Sequence, residues 1–134
     1  MSNFKALCTD LETAIQKSYE EGVSMEEAEK LASKFLYAQI QVSNELRKAD
    51  LDSRMRKSGL KAVRAAIYTT AKSDTSAKLT EAGVAAVIDT HEVVQSEQNE
   101  LDKAEVTCDE LERFFNIFKD GHVHFRTIAK GRFE

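Results

Sequence analysis

Apolar residues recur at alternating steps of three and four through most of the chain, which is the spacing of amphipathic α-helices. This spacing begins at the N-terminus, and Gly22 is expected to end the first helix in a left-handed conformation. We therefore predict a helix over about residues 2–22. Ser24-Met25-Glu26-Glu27 then matches a helix capping box, in which the serine side chain accepts a hydrogen bond from the amide three residues later. A second helix is predicted to begin there.

The apolar positions of this second helix form one seam that continues to about residue 72. Its members are Ala28, Leu31, Phe35, Ala38, Val42, Leu46, Ala49, Ser53, Arg56, Leu60, Val63 and Ile67. The seam is weakest at Ser53 and Arg56, and Gly59 follows shortly afterwards. The helix either bends there or continues unbroken and pairs with another subunit. An unbroken helix over residues 24–72 would be about 70 Å long at 1.5 Å per residue, which favours an assembly.

The remaining residues, about 77–133, are predicted to form C-terminal helices. The polar segment 72–76 is the expected turn before them. Thr80 or a neighbouring residue is expected to begin a short helix. Asp89-Thr90-His91-Glu92 resembles another capping box, although the apolar spacing also permits one uninterrupted helix from about residue 79.

From residue 87 onwards, apolar residues recur at steps of seven with companions between them, as in a coiled coil. We predict that these side chains join copies of the chain into a homo-oligomer. The residues expected at that interface are Val94, Leu101, Cys108, Leu111, Phe115, Phe118 and Phe125. Asp120-Gly121 is expected to end this helix. The alternative is that the C-terminal phenylalanines form a compact core within one chain.

Composition supports helices throughout. The 134 residues contain no proline and only 5 glycines, and Ala, Glu, Lys and Leu are abundant. We predict one all-α domain over residues 1–134, elongated, with long antiparallel helices that assemble through the C-terminal part. The sequence lacks a signal-like start and an apolar run long enough for a bilayer, so we expect a cytoplasmic protein with no membrane partner.

Charge is strongly segregated along the chain. The net charge is −4, but residues 47–72 hold eight basic residues against two acidic ones. Helical spacing places most of these cations on one face, with a tyrosine one turn beyond, which suits a polyanion with stackable bases. The residues predicted to bind nucleic acid are Arg47, Lys48, Arg54, Lys57, Lys61, Arg64, Tyr68 and Lys72. Acidic segments on either side could mask this face or leave it open, and the sequence does not decide between the two.

The sequence contains no recognisable motif for catalysis or cofactor binding. There is no phosphate-binding loop, nucleophile elbow or zinc-protease motif, so we expect a protein that is not an enzyme and needs no cofactor. His122-x-His124 lacks a second ligand pair, and we predict no metal site. Cys8 and Cys108 lie a hundred residues apart and fit buried reduced thiols.

The order of these features resembles the UvsY-like recombination mediators of phages. The likeness covers roughly residues 30–133: a seam helix, the basic segment from Glu45-Leu46-Arg47-Lys48 to Arg64-Ala65-Ala66-Ile67-Tyr68, a linker, a long helix and a tail containing Phe125-Arg126-Thr127-Ile128. The resemblance implies that the basic segment contacts single-stranded DNA and that the C-terminal helices assemble a ring. It also implies a host-cytoplasmic protein that displaces single-strand-binding protein and loads a RecA-type recombinase.

Two other functions remain open at this stage. The protein could be a helical interaction module, such as a phage assembly factor or inhibitor, whose basic face docks an acidic protein. It could also regulate duplex DNA, although no short helix-turn-helix with a recognition helix is apparent.

Overall fold

The structure, a computed structural model, describes residues 2–73 and 79–131. These residues form four α-helices and no strand, which confirms the all-α prediction. The helices are α1 (Ser2–Glu20), α2 (Met25–Ser73), α3 (Glu81–Thr90) and α4 (Glu92–Ala129). The described residues group into two compact units: the first holds residues 2–47 and 109–131, and the second holds residues 48–73 and 79–108. The prediction of a single domain stays untested, because two compact units can fold as one.

The start of α2 follows the predicted capping chemistry. Gly22 has a φ of 76°, the left-handed conformation expected after a helix. The Glu27 amide donates to Ser24 Oγ at 3.1 Å, which satisfies one of the first amides of α2. Further along, α2 passes through the exposed Gly59 without interruption, so the helix is unbroken at the position where a bend was one of the two predictions.

Phenylalanine rings form the core of the first unit. Phe35 of α2 is fully buried and stacks on Phe118 and Phe125 of α4, with ring centroids 6.2 Å apart in both pairs. Phe4 of α1 lies 5.8 Å from Phe114 and 6.3 Å from Phe118. Three helices therefore meet around rings contributed by one chain, which is the arrangement of the compact-core alternative.

Gly121 does not end a helix, so that prediction is wrong. It is buried inside α4, which continues for two further turns to Ala129. A Cβ atom at Gly121 would lie 2.7 Å from both Leu11 Cδ1 and Leu11 Cδ2. The glycine thus lets α1 approach α4 closely, because any side chain would collide with Leu11.

Aliphatic side chains form the core of the second unit. Leu60, Val84, Ile88, Val94 and Leu101 are buried together. Arg56 of α2 lies 4.0 Å from Glu100 of α4, and Arg64 shares a small cavity with Val94 and Gln95, so these two helices run antiparallel in this unit. In both units, every residue of the predicted α2 seam is buried or half-buried.

Short polar contacts set the boundaries of α3 and α4. Thr80 caps α3, and its Oγ1 accepts from the Gly83 amide at 3.0 Å, as predicted. The chain leaves helical geometry at His91, whose Nδ1 accepts from the Val93 amide at 3.2 Å. The break near residue 91 is therefore confirmed, but the imidazole makes the hydrogen bond that was expected from Asp89. The predicted turn at 72–76 lies outside the described residues from residue 74 onwards.

Candidate nucleic-acid interface

All eight residues predicted to bind nucleic acid lie on α2. Arg47 belongs to the first unit, and the other seven belong to the second. Arg64 is half-buried, whereas the remaining seven are exposed. The apolar seam accounts for this placement, because it fixes which side of α2 packs inward and leaves the cations on the other sides.

The segment from Arg54 to Lys61 is the open part of the basic face. Lys57 and Lys61 are exposed and form no ion pair with any described residue. Arg54 Nε lies 3.1 Å from Asp50 Oδ2 one turn earlier, yet the arginine side chain is 78% exposed. Exposed pairs of this kind contribute at most about 1 kcal/mol, so a phosphate group can compete for the guanidinium. The open part therefore presents three cations at steps of three and four.

The segment from Arg64 to Lys72 is the closed part, because acidic residues of α3 lie against it. Arg64 Nη1 is 3.1 Å from Asp89 Oδ1, and Lys72 forms an ion pair with Glu81. The Tyr68 hydroxyl also lies 3.4 Å from Glu81 Oε1. The acidic residues that follow the basic segment in sequence thus pair with its C-terminal part, through side chains that are 37–70% exposed.

The ion pair between Lys72 and Glu81 also shifts both ionisation equilibria. The hydrogen bond from Lys72 is the main cause that lowers the pKa of the Glu81 carboxyl. The same hydrogen bond raises the pKa of the Lys72 ammonium group. Each group therefore stabilises the charged form of the other.

Arg56 is half-buried and forms ion pairs within the second unit, unlike the exposed cations of the open part. Its Nε lies 3.1 Å from Asp52 Oδ2, and its Nη1 approaches Glu100 of α4. The hydrogen bond to Asp52 is the first cause of a raised Arg56 pKa. The seam pattern placed Arg56 on the inward side correctly, and its long side chain reaches acidic partners at the edge of the core.

Two exposed apolar side chains beside the open part were missed by the sequence analysis. Leu51 is 60% exposed and Met55 is 65% exposed. They lie one turn apart on the outer surface of α2, and Leu51 also lies one turn before Arg54. Their signal was available, because both lie off the seam in a helix whose other outward positions are mostly small or polar.

The residues predicted to join subunits pack largely within one chain. Val94 and Leu101 lie in the aliphatic core of the second unit, and Leu111, Phe118 and Phe125 are buried in the first. Cys108 and Phe115 are half-buried. Homo-oligomer formation stays a prediction, but five of its seven proposed contact residues already have buried side chains, so a subunit interface would need other surfaces.

Other candidate chemistry adds little to this surface. The described residues hold no group of three His, Cys, Asp or Glu side chains that could bind a metal ion. Neither cysteine forms a disulfide bond, and burial, followed by the nearby Glu12, raises the pKa of the Cys8 thiol. None of the helices in the described part of the chain has the length and hydrophobicity needed to cross a membrane.

Comparison with protein-family models, curated proteins and solved structures finds no match for this chain. The resemblance to phage recombination mediators therefore remains a prediction that rests on the order of the sequence features.

Proposed function

We propose that the protein binds single-stranded DNA through the basic face of α2 and acts as an oligomeric recombination mediator. The observation that carries the proposal is the open part of that face. Lys57 and Lys61 are exposed there and form no ion pair within the described part of the chain, and Arg54 pairs with an exposed carboxylate. Such cations neutralise phosphates and release counterions, which favours binding without sequence preference.

Base contacts come from side chains near these cations. Leu51 and Met55 offer exposed apolar surface beside Arg54, and Tyr68 is 41% exposed at the edge of the closed part. A base stacked on an aromatic side chain contributes about 1–3 kcal/mol. The strand would thus meet phosphate-binding and base-binding groups on the same helix, and neither kind of group distinguishes sequences strongly.

Salt dependence provides the direct test. For single strands, the logarithm of the binding constant falls with the logarithm of salt concentration by about 0.7 per neutralised phosphate. We expect Lys57→Gln with Lys61→Gln to weaken binding of a fluorescent oligonucleotide and to reduce that slope by about 1.4 per chain. Fluorescence anisotropy at several salt concentrations measures both effects.

A matched control removes the same charge elsewhere. Lys5 of α1 and Lys119 of α4 are exposed, lie in the first unit and form no ion pair with a described residue. Lys5→Gln with Lys119→Gln should leave the slope unchanged. The proposal fails if the unaltered protein does not bind at low salt, or if both double variants lose binding equally.

The mediator role extends this binding to protein partners. In the proposed role several copies, arranged as a ring, hold one strand, so that modest individual sites combine into tight binding. Displacement of single-strand-binding protein and loading of a RecA-type recombinase are the steps suggested by the resemblance. They require no covalent chemistry, and we accordingly propose a protein without enzymatic activity. Solution mass measured with and without oligonucleotide tests assembly together with DNA binding.

The exposed Leu51 and Met55 favour a second candidate function. An apolar pair beside cations also suits an acidic amphipathic helix of another protein, which would make the chain a non-enzymatic interaction module. This alternative gains support if Lys61→Glu with Arg64→Glu abolishes binding to a protein partner and no DNA binding is detectable at low salt.

A further inference from the structure

A cavity in the first unit is lined by residues other than those predicted to bind nucleic acid. It has a volume of about 500 Å³, within the range of small-molecule sites. One wall comes from the beginning of α2 and the other from the end of α4. The lining residues are Glu29, Ala32, Ser33, Leu36, His122, Arg126, Ala129 and Lys130.

Three of these residues form a row of nitrogen-bearing side chains on α4. His122, Arg126 and Lys130 follow one another at steps of four, so they lie on one side of the helix. His122 Nδ1 is buried and has no hydrogen-bond partner among the residues that the structure describes. Arg126 and Lys130 are exposed, so an incoming anion can reach both.

The charged residues of the cavity, like Lys5 and Lys119 of the same unit, form no ion pair with another described residue. Around the same part of α2, lysines do pair: Lys30 with Glu26 at 3.7 Å, and Lys34 with Asp10 at 3.3 Å. Glu29, Arg126 and Lys130 line one cavity, yet none of them has an ion pair with another described residue. Their charges are therefore available to a ligand.

We propose that this cavity binds an organic phosphate. A guanidinium and an ammonium group match the charge of a phosphate monoester, and arginine can donate two parallel hydrogen bonds to its oxygens. Ala32, Leu36 and Ala129 supply an apolar wall for a flat or aliphatic body. Glu29 and Ser33 provide hydrogen-bonding groups for hydroxyl or amino substituents. A mononucleotide combines all of these features.

Cations near a helix C-terminus also have a structural role, because they interact favourably with the helix dipole. That role accounts for Arg126 and Lys130 at the end of α4. It does not account for a cavity with an apolar wall and a half-buried imidazole beside them. The two roles predict different results, since a purely structural role affects stability and leaves phosphate binding unchanged.

The test uses the full chain labelled with ¹⁵N and titrated with deoxyadenosine 5′-monophosphate. We expect saturable amide shifts around Ser33, Arg126 and Lys130. Arg126→Gln with Lys130→Gln should weaken binding by about tenfold or more, since each cation makes charge-assisted hydrogen bonds. Lys5→Gln with Lys119→Gln removes the same charge from the same unit and should leave the affinity unchanged.

Further titrations distinguish a phosphate of a nucleic-acid strand from a free phosphate ester. An oligonucleotide that shifts the same amides identifies the phosphate as part of a strand, whereas binding of the mononucleotide alone identifies a free phosphate ester. Equal shifts with acetate at the same concentration, or mononucleotide binding that survives Arg126→Gln with Lys130→Gln, would overturn the assignment. The proposal does not depend on DNA binding by α2, because that function is tested at Lys57 and Lys61.

Discussion

Among the described residues, the first unit buries both aromatic and aliphatic side chains, whereas the second buries aliphatic ones. The first has a core of five phenylalanines, of which Phe35, Phe118 and Phe125 are completely buried. The second has a small aliphatic core from Leu60 to Leu101, with ion pairs along its edges. Large rings bury more apolar area per residue than valine or leucine, so the first unit is expected to contribute more to the free energy of unfolding.

This difference has a consequence for the proposed function. Exposed ion pairs contribute little and are weakened by salt, so the second unit can exchange its charge contacts at low cost. Arg47 belongs to the first unit, and the other seven residues proposed to bind DNA, from Lys48 to Lys72, belong to the second. In this proposal, the buried aromatic core and most of the basic face, with its exposed ion pairs, belong to different units of one chain.

The largest expected effect comes from opening the aromatic core. The ring centroid of Phe118 lies within 6.3 Å of the ring centroids of Phe4, Phe35 and Phe114. Phe118→Ala would leave a cavity among these rings and should lower the free energy of unfolding by about 3–5 kcal/mol. Leu101→Ala in the second unit should cost about 2–3 kcal/mol, since fewer atoms are removed and its core is smaller. Urea unfolding followed by circular dichroism measures both.

Hydrogen exchange locates these two effects. Phe118→Ala should accelerate amide exchange mainly in residues 109–131, and Leu101→Ala should do so mainly in residues 79–108. A larger loss from Leu101→Ala than from Phe118→Ala would contradict the ranking of the two cores.

Two glycines provide a second comparison between the units. A Cβ at Gly59 meets no atom within 4 Å, so Gly59→Ala should stabilise the protein by about 0.5–1 kcal/mol through helix propensity. Gly121→Ala gains the same helix propensity, but its Cβ would lie 2.7 Å from both Cδ atoms of the buried Leu11, so the leucine side chain must move. We expect it to destabilise the protein by about 1 kcal/mol or more. Thermal unfolding of both variants tests the prediction, and equal stabilisation would mean that Leu11 relocates without cost.

Gly121 also shows why part of the fold could not be predicted from sequence. A glycine after aspartate is typical of a helix end, and only the position of Leu11 on another helix reveals its actual role. By contrast, Gly22, Ser24 and Thr80 were assigned correctly because their hydrogen bonds and backbone conformations involve near neighbours. Local chemistry is readable from spacing, whereas close approach between distant segments is not.

The candidate site likewise has features that local spacing predicts and contacts between distant residues that it does not predict. Spacing predicted which side of α2 carries Arg54, Lys57 and Lys61, because the seam defines the opposite side. It could not show that Arg64 pairs with Asp89, a residue 25 positions away. Heptad spacing likewise identified Phe118 as a packing residue without showing that its partners belong to the same chain.

A smaller effect is expected from unmasking the closed part of the basic face. Asp89→Asn with Glu81→Gln removes the acidic partners of Arg64 and Lys72. Oligonucleotide affinity at low salt should rise by about two- to tenfold, and the salt dependence should steepen, since two more cations can contact phosphates. Fluorescence anisotropy measures both quantities.

The control for unmasking neutralises two carboxylates elsewhere. Asp109 and Glu112 are exposed on α4 in the first unit. Asp109→Asn with Glu112→Gln changes net charge equally and should raise affinity less. If both double variants bind equally well, only the overall charge matters, and the closed part does not contact DNA.

The smallest effect is the titration of the Glu81 carboxyl. Its pKa lies below the ordinary 4.5 mainly because of the hydrogen bond from Lys72, so the contact between these two residues stabilises the folded state above about pH 4.5. That contribution is lost as the pH falls through the lowered pKa and the carboxylate takes up a proton. In a ¹³C NMR titration, Lys72→Met should raise the Glu81 midpoint towards 4.5, and Tyr68→Phe should raise it less, because the tyrosine hydrogen bond is the weakest cause. Lys57 is an exposed lysine of the same helix that has no ion pair in residues 2–73 and 79–131, so Lys57→Met should leave the midpoint unchanged. Equal shifts in the two lysine variants would show that the general field of α2, and not the contact with Lys72, lowers this pKa.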